Sequence, residues 1–129
     1  MTPPEKLIVR RGQAIPAEVL IQLRSGYHVN SNTPADPYLI PLKLTLTSKA
    51  VEVTDIEYPK PLMQKFSFSE KPVSVFEGDF KARAKLKILP NAPVGMNALD
   101  GKLRYQACND RMCLPPRTLD LKIPVDIRQ

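Results

Sequence analysis

The chain has 129 residues, a formal net charge of +6, 43% hydrophobic residues and only two cysteines. That is enough chain to bury one hydrophobic core without a metal or a disulfide framework, and it is too apolar for a disordered segment. No apolar run approaches the ~18 residues that a membrane-spanning helix needs. Fourteen prolines against five glycines predict short strands separated by stiff turns. Lys6–Arg10 reads as a first strand, stopped by Arg11-Gly12. Ala17, Val19, Ile21 and Leu23 alternate with Glu18, Leu20, Gln22 and Arg24 as a second, and Gly26–Asp36 reads as a polar loop. Leu42, Leu44 and Leu46 alternate with Lys43, Thr45 and Thr47 within a strand from Tyr38 to Thr47. Pro41 near its start predicts an edge position or a bulge, because proline cannot donate to a ladder. Val51–Tyr58 is a further strand, ended by Pro59-Lys60-Pro61. Phe66–Phe68 and Val73–Phe76 flank a turn at Ser69–Pro72, and Gly78 opens the strand Phe80–Ile88. Pro90-Asn91-Ala92-Pro93 is a loop, and the chain then runs through Asp100-Gly101 toward the cysteines.

Roughly seven to nine such strands, with no helical periodicity, predict an all-β, antiparallel β-sandwich of the immunoglobulin-like kind. The Cys…Trp…Cys pin of antibody domains is missing, since there is no tryptophan and the cysteines are near neighbours. Met1-Thr2-Pro3-Pro4 reads as an artificial start, and no basic-then-apolar leader precedes the first strand. The expectation is one domain over 1–129, excised from a longer exported or membrane-anchored protein.

The positive charge invites a nucleic-acid reading. Its densest stretch is Lys81, Arg83, Lys85 and Lys87, alternating with Phe80, Ala82, Ala84, Leu86 and Ile88. That is a strand with one wet cationic face and one dry face, suited to an exposed or edge position. No stacking aromatics are interleaved among the charges, so no nucleic acid is expected as a partner.

Both cysteines lie in Tyr105–Thr118, where Cys108 and Cys113 are separated by four residues. The approach, Leu103 to Ala107, alternates. So does the exit, with Leu119, Leu121, Ile123, Val125 and Ile127 set among Asp120, Lys122, Pro124 and Asp126. The pair therefore falls where two strands meet at a turn. A disulfide closing so small a loop contributes roughly 2 kcal/mol by chain entropy, against about 4 for a loop of several tens of residues. A stability staple would span the fold, whereas this pair only cinches a hairpin end. Redox exchange needs a thiolate to attack and a second thiol to resolve the mixed disulfide, and two cysteines within about 7 Å supply both. The alternative is an immunoglobulin-like binding or assembly domain whose disulfide merely ties the hairpin; titrating the pair with a redox buffer and alkylating the free thiols separates the two. Arg111 and Arg104 would favour a thiolate and Asp110 opposes it, which predicts a modest nucleophile dependent on an activated partner.

The run Tyr105-Gln106-Ala107-Cys108, continued by Cys113-Leu114-Pro115-Pro116-Arg117-Thr118, resembles the active-site hairpin of the N-terminal, periplasmic domain of the thiol:disulfide interchange protein DsbD and its disulfide-corrector relatives. Gly26–Asn32, Leu39-Ile40-Pro41 and Val75-Phe76-Glu77-Gly78 agree in the same order. Some members carry five residues between the cysteines where this chain has four, so neither strain nor potential is carried over. The resemblance implies an immunoglobulin-like sandwich and a protein-disulfide reductase module in electron transport. Electrons would arrive from a thioredoxin-like donor domain. They would leave to a periplasmic disulfide isomerase or a cytochrome-maturation thioredoxin, with a transmembrane domain elsewhere in the full protein. It implies that Cys108 and Cys113 are the catalytic pair, with Cys113 the sulfur that links to partners. Phe76 falls where the family has a cap loop over the pair, with Glu77 and Gly78 beside it. Tyr27 and His28 fall where the family has aromatic residues near the cysteines, and Tyr105 opens the cysteine run itself. From the residues alone, the alternative for Phe76 is a core aromatic at a strand end, and His28, the sole histidine, invites a catalytic-base reading, although a lone histidine in a polar loop is more often solvated or structural. Two cysteines and one histidine make no zinc site, and no cofactor is expected. The sequence shows no nucleophile–base–acid constellation, phosphate loop or paired-carboxylate motif.

Overall fold

The computed structural model describes residues 1–34, 38–66 and 71–129. Eleven strands follow in chain order: β1 (Leu7–Arg10), β2 (Ala14–Gln22), β3 (His28–Asn30), β4 (Lys43–Thr47), β5 (Val51–Glu57), β6 (Leu62–Gln64), β7 (Val73–Glu77), β8 (Asp79–Ile88), β9 (Gly95–Tyr105), β10 (Ala107–Cys108) and β11 (Arg117–Arg128). No helix occurs among the described residues. The strands form three ladders, in the orders β1-β11-β9-β4, β2-β8-β5 and β10-β3-β7-β6. Every pairing is antiparallel except β1 with β11, which runs parallel from Leu7 opposite Val125 to Arg10 opposite Arg128. The result is an all-β, immunoglobulin-like sandwich.

Alternation places the core. On β8 every second residue is buried, and Phe80, Ala82, Ala84, Leu86 and Ile88 meet Val9, Leu44, Leu99, Leu103, Ile123, Val125 and Ile127 of the facing ladder in one cluster. The cationic residues of β8 face solvent as expected, but the strand is central, between β2 and β5. Carboxylates on both neighbours make this tolerable. Glu18 and Glu57 stand opposite Arg83, Asp55 opposite Lys85, and Glu52 opposite Lys87. Lys85 reaches Glu57 at 2.8 Å and Lys81 reaches Glu18 at 3.6 Å. The charge is thus largely answered across the sheet.

Asp100-Gly101 lies in the middle of β9. Gly101 faces inward between Leu46 and Leu121, and a Cβ there would stand 2.6 Å from Leu46 Cδ2 and 2.8 Å from Leu121 Cδ2. The glycine serves packing, not a turn. β4 is an edge strand, and Pro41 precedes it. Two short strands depart from expectation: β3 lies within the polar loop read at Gly26–Asp36, and β6 follows Pro61. The expected Phe66–Phe68 strand, the Ser69–Pro72 turn and the end of the Gly26–Asp36 loop fall partly outside the described residues.

β2 hands the chain to β3, and β7 hands it to β8, by crossing from one ladder to another at the same corner. The corner is tied by the Leu23 amide donating to the Gly78 carbonyl at 3.2 Å. Gly78 holds φ 66°, a conformation that side-chain-bearing residues rarely adopt.

Candidate active site

Cys108 and Cys113 form a disulfide with Cα atoms 4.0 Å apart, at the tip of the hairpin between β10 and β11. The four residues between them are shaped by Asn109. Its amide donates to the Met112 carbonyl at 2.9 Å, and its Oδ1 accepts from the amides of Arg111 and Met112 at 2.9 and 2.8 Å. An asparagine side chain that mimics a backbone acceptor in this way favours a tight turn. Below the disulfide the Leu114 amide donates to the Ala107 carbonyl at 2.8 Å. Gln106 clamps the base. Its Nε2 donates to the Leu114 carbonyl at 3.3 Å, and its Oε1 accepts from Asn30 Nδ2 at 3.3 Å and from the Ile40 amide at 3.5 Å.

The two sulfurs differ in access. Cys108 is fully buried, and Cys113 is half-buried beside the exposed side chains of Met112 and Leu114.

Strand register sorts the neighbours of the pair onto two faces. Cys108 stands opposite His28, and His28 opposite Glu77. Ala107 stands opposite Val29, and Val29 opposite Phe76. Residues in register share a face of the sheet. The second row belongs to the sandwich core, which holds Val29 and Phe76 with Ala107 packed against them. Cys108, His28 and Glu77 therefore line the opposite face.

This corrects the expectation for Phe76. Its ring is 3% exposed and packs against Phe80, with centroids 4.7 Å apart, on the core side of β7. A ring held there covers no cysteine. Among the described residues, Phe66 is an aromatic that does lie on the cysteine face, stacked on His28 with centroids 4.0 Å apart and planes within 10°. The sequence carried a partial signal for it, an aromatic among polar residues just after a proline-rich stop, but nothing local pairs it with His28.

Tyr27, His28, Glu77 and Gly78 do come together. With Leu23, Arg24, Ser25, Gly26, Phe66 and Asp110 of the hairpin they line a cleft of about 500 Å³ at the corner between ladders. Tyr105 goes elsewhere: it packs against the core and lines a separate pocket with Ile21, Leu42 and Leu119. His28 is buried, and burial holds its pKa below the usual 6.5, with the negative charge of Glu77 pulling partly the other way. Sequence reading also missed Asn30, Gln106 and Asn109, whose roles are hydrogen bonds across distant strands or within the turn. Among the described residues no group of three or more histidine, cysteine or acidic side chains could hold a metal ion.

Fold and site together define a small β-sandwich module with a disulfide of the exchange type at a hairpin tip. A family model for the N-terminal domain of the thiol:disulfide interchange protein DsbD matches residues 1–124, and the chain belongs to that family. No curated protein matches it. Among solved structures, the Neisseria meningitidis DsbD N-terminal domain in its reduced form is similar, with a TM-score of 0.54 and 15% identity over 85% of this chain and 77% of that one. AggA, the major subunit of aggregative adherence fimbriae type I from Escherichia coli, reaches a TM-score of 0.42 at 7% identity, over 98% of this chain and 93% of that one. A family 123 glycoside hydrolase from Clostridium perfringens reaches 0.39 at 14% identity, over 96% of this chain and 23% of its own.

Proposed function

We propose that this domain is a protein-disulfide reductase relay of the bacterial periplasm, in which Cys108 and Cys113 take two electrons from a thioredoxin-like donor and pass them to the disulfide of a second thioredoxin-like protein, such as an isomerase or a cytochrome-maturation factor. The observation that carries the reading is the asymmetry of the pair, one sulfur closed off and the other at an exposed apolar tip. Exchange requires a thiolate to approach one sulfur along the S–S axis, and access decides which. A donor thiolate attacks Cys113 Sγ, the Cys113–Cys108 bond breaks, and Cys108 leaves as the thiolate. The donor's second thiol then resolves the mixed disulfide and leaves both cysteines reduced. Toward the acceptor the order reverses: Cys113 attacks the acceptor disulfide and Cys108 closes the ring. Met112 and Leu114 offer exposed apolar surface, and the two prolines that follow have no N–H groups of their own to compete for a partner's backbone. The shielding expected of a cap belongs in this reading to Phe66. The domain is one part of a longer exported or membrane-anchored protein.

Single-cysteine variants test the assignment. With a thioredoxin-like partner that keeps only its attacking cysteine, activated as a mixed disulfide with an aryl thiol, Cys108→Ala should accumulate a protein–protein mixed disulfide as the Cys113 thiolate displaces the aryl thiolate. Cys113→Ala should accumulate little. Equal trapping by both variants removes the assignment of roles, and trapping by neither removes the redox reading.

A further inference from the structure

We propose that His28, steadied by Glu77, is the proton acceptor for Cys108 when the ring closes, an inference that rests on the redox reading above. Three adjacent strands set the three side chains in one row. Cys108 on β10 is in register with His28 on β3, which is in register with Glu77 on β7. Directly opposite residues of an antiparallel pair have Cβ atoms about 4.5–5.5 Å apart on the same face. The sequence hid this grouping because its members lie at positions 28, 77 and 108. A nucleophile beside a base that a third group orients is the arrangement that activates weak nucleophiles on many unrelated folds.

Chemistry gives the row a task. Cys108 is fully buried, and a buried thiol resists ionisation because its thiolate loses water. Cys113 is only half-buried, so its thiolate keeps more contact with water. The slow half of the reaction is therefore the attack by Cys108, and a base beside it removes the obstacle. Burial lowers the pKa of His28 and so keeps the imidazole unprotonated, the form from which a base must start. Glu77 stands on its other side, where its charge favours the imidazolium that forms. The other charged or titratable side chains that line the cleft beside His28 are Arg24, Tyr27 and Asp110. Phe66 covers the ring by stacking.

The step balances as follows. Cys113 has attacked the acceptor's disulfide, forming Cys113–S–S–acceptor and releasing the acceptor's other sulfur as a thiolate. The Cys108 S–H proton passes to the imidazole, and the Cys108 sulfur attacks Cys113 Sγ. The bond between Cys113 and the acceptor breaks as the Cys108–Cys113 bond forms. The acceptor's second thiolate departs and the imidazolium gives up its proton. Two electrons have moved from this pair, now oxidised, to the acceptor, now a dithiol. Run backward, the imidazolium protonates Cys108 as it leaves.

A chromogenic aryl disulfide mixed rapidly with the reduced domain separates the two events, because each releases one coloured thiolate. Attack by Cys113 gives the first phase and closure by Cys108 the second. His28→Asn should slow closure at least about tenfold near neutral pH while leaving the first phase within about twofold. Wild-type closure should level off with rising pH at a histidine-like midpoint, whereas the variant should keep accelerating toward the thiol range of about 8–9. Glu77→Gln, at an exposed position, should lower the midpoint and slow closure; if His28→Asn does not fold, Glu77→Gln decides alone. Folded variants with wild-type closure rates and midpoints overturn the assignment and leave the redox reading standing. Wild-type protein that never releases a second thiolate overturns both.

Discussion

Reducing Cys108–Cys113 should leave the sandwich folded and lower its thermal midpoint only modestly. The cysteines are five positions apart, so the closed loop is among the smallest a disulfide can make in a hairpin. On the chain-entropy model its removal costs about 2 kcal/mol, against the ~5–15 kcal/mol that holds a typical domain together. The other ties of the hairpin survive reduction: the Asn109 turn, the Leu114–Ala107 backbone bond and the Gln106 clamp involve no sulfur. Unfolding entropy near 2.1 cal/mol/K per residue over 129 residues converts about 2 kcal/mol into a shift of about 7 °C. Circular dichroism melts with and without reductant measure it, with alkylation and mass confirming the redox state. A reduced domain that is unfolded at room temperature, or that melts more than about 20 °C lower, refutes the reasoning and makes the disulfide a structural staple.

Phe76→Ala should cost about 3–5 kcal/mol, as truncating a core phenylalanine does, without changing how fast the reduced cysteines alkylate. Phe66→Ala should do the reverse, with small destabilisation and faster alkylation; chemical denaturation paired with alkylation rates reads both, and matching behaviour of the two variants contradicts the assignment of faces. Gly101→Ala should cost about 1–3 kcal/mol through crowding against Leu46 and Leu121, seen in denaturant midpoints. The folded-state pKa of His28 lies below its unfolded value near 6.5, so the unfolded chain takes up the proton first. That contribution to stability is whole above about 6.5 and is lost as pH falls toward the folded value. Unfolding free energies measured across this range should fall less steeply in His28→Asn and more steeply in Glu77→Gln; parallel curves for all three proteins refute the coupling.

What could be read from the sequence divides by range. Alternation over β8 and β11 is long enough to identify strand and face together, and the two short-spaced cysteines mark their own turn. β3 escaped because all three of its residues are buried, which erases the period-two pattern, and because its polar composition resembles a loop. β8 looked like an edge because its charges were read without the carboxylates that β2 and β5 bring alongside. The site was legible in its members and not in its arrangement. Tyr27, His28, Glu77 and Gly78 reached the cleft, yet Phe76 and Phe66 were confused, since one step along a strand reverses the face and only pairing reveals which face carries Cys108.

The parallel partnership of β1 and β11 carries a consequence for how this domain is tethered. β11 leaves the cysteine hairpin at Arg117 and runs twelve residues to Arg128, with β1 alongside its last four, Val125–Arg128, in the same direction. At about 3.3 Å per residue the strand ends about 36 Å from where it began, at the pole of the sandwich opposite the disulfide. Any segment attached after Gln129 starts from that far pole. A flexible tether has a root-mean-square span of about 5–6 Å times the square root of its length. A donor domain joined there by such a tether would need about 40 residues of it to meet its own hairpin comfortably. With a shorter tether it would more readily meet the hairpin of a neighbouring molecule.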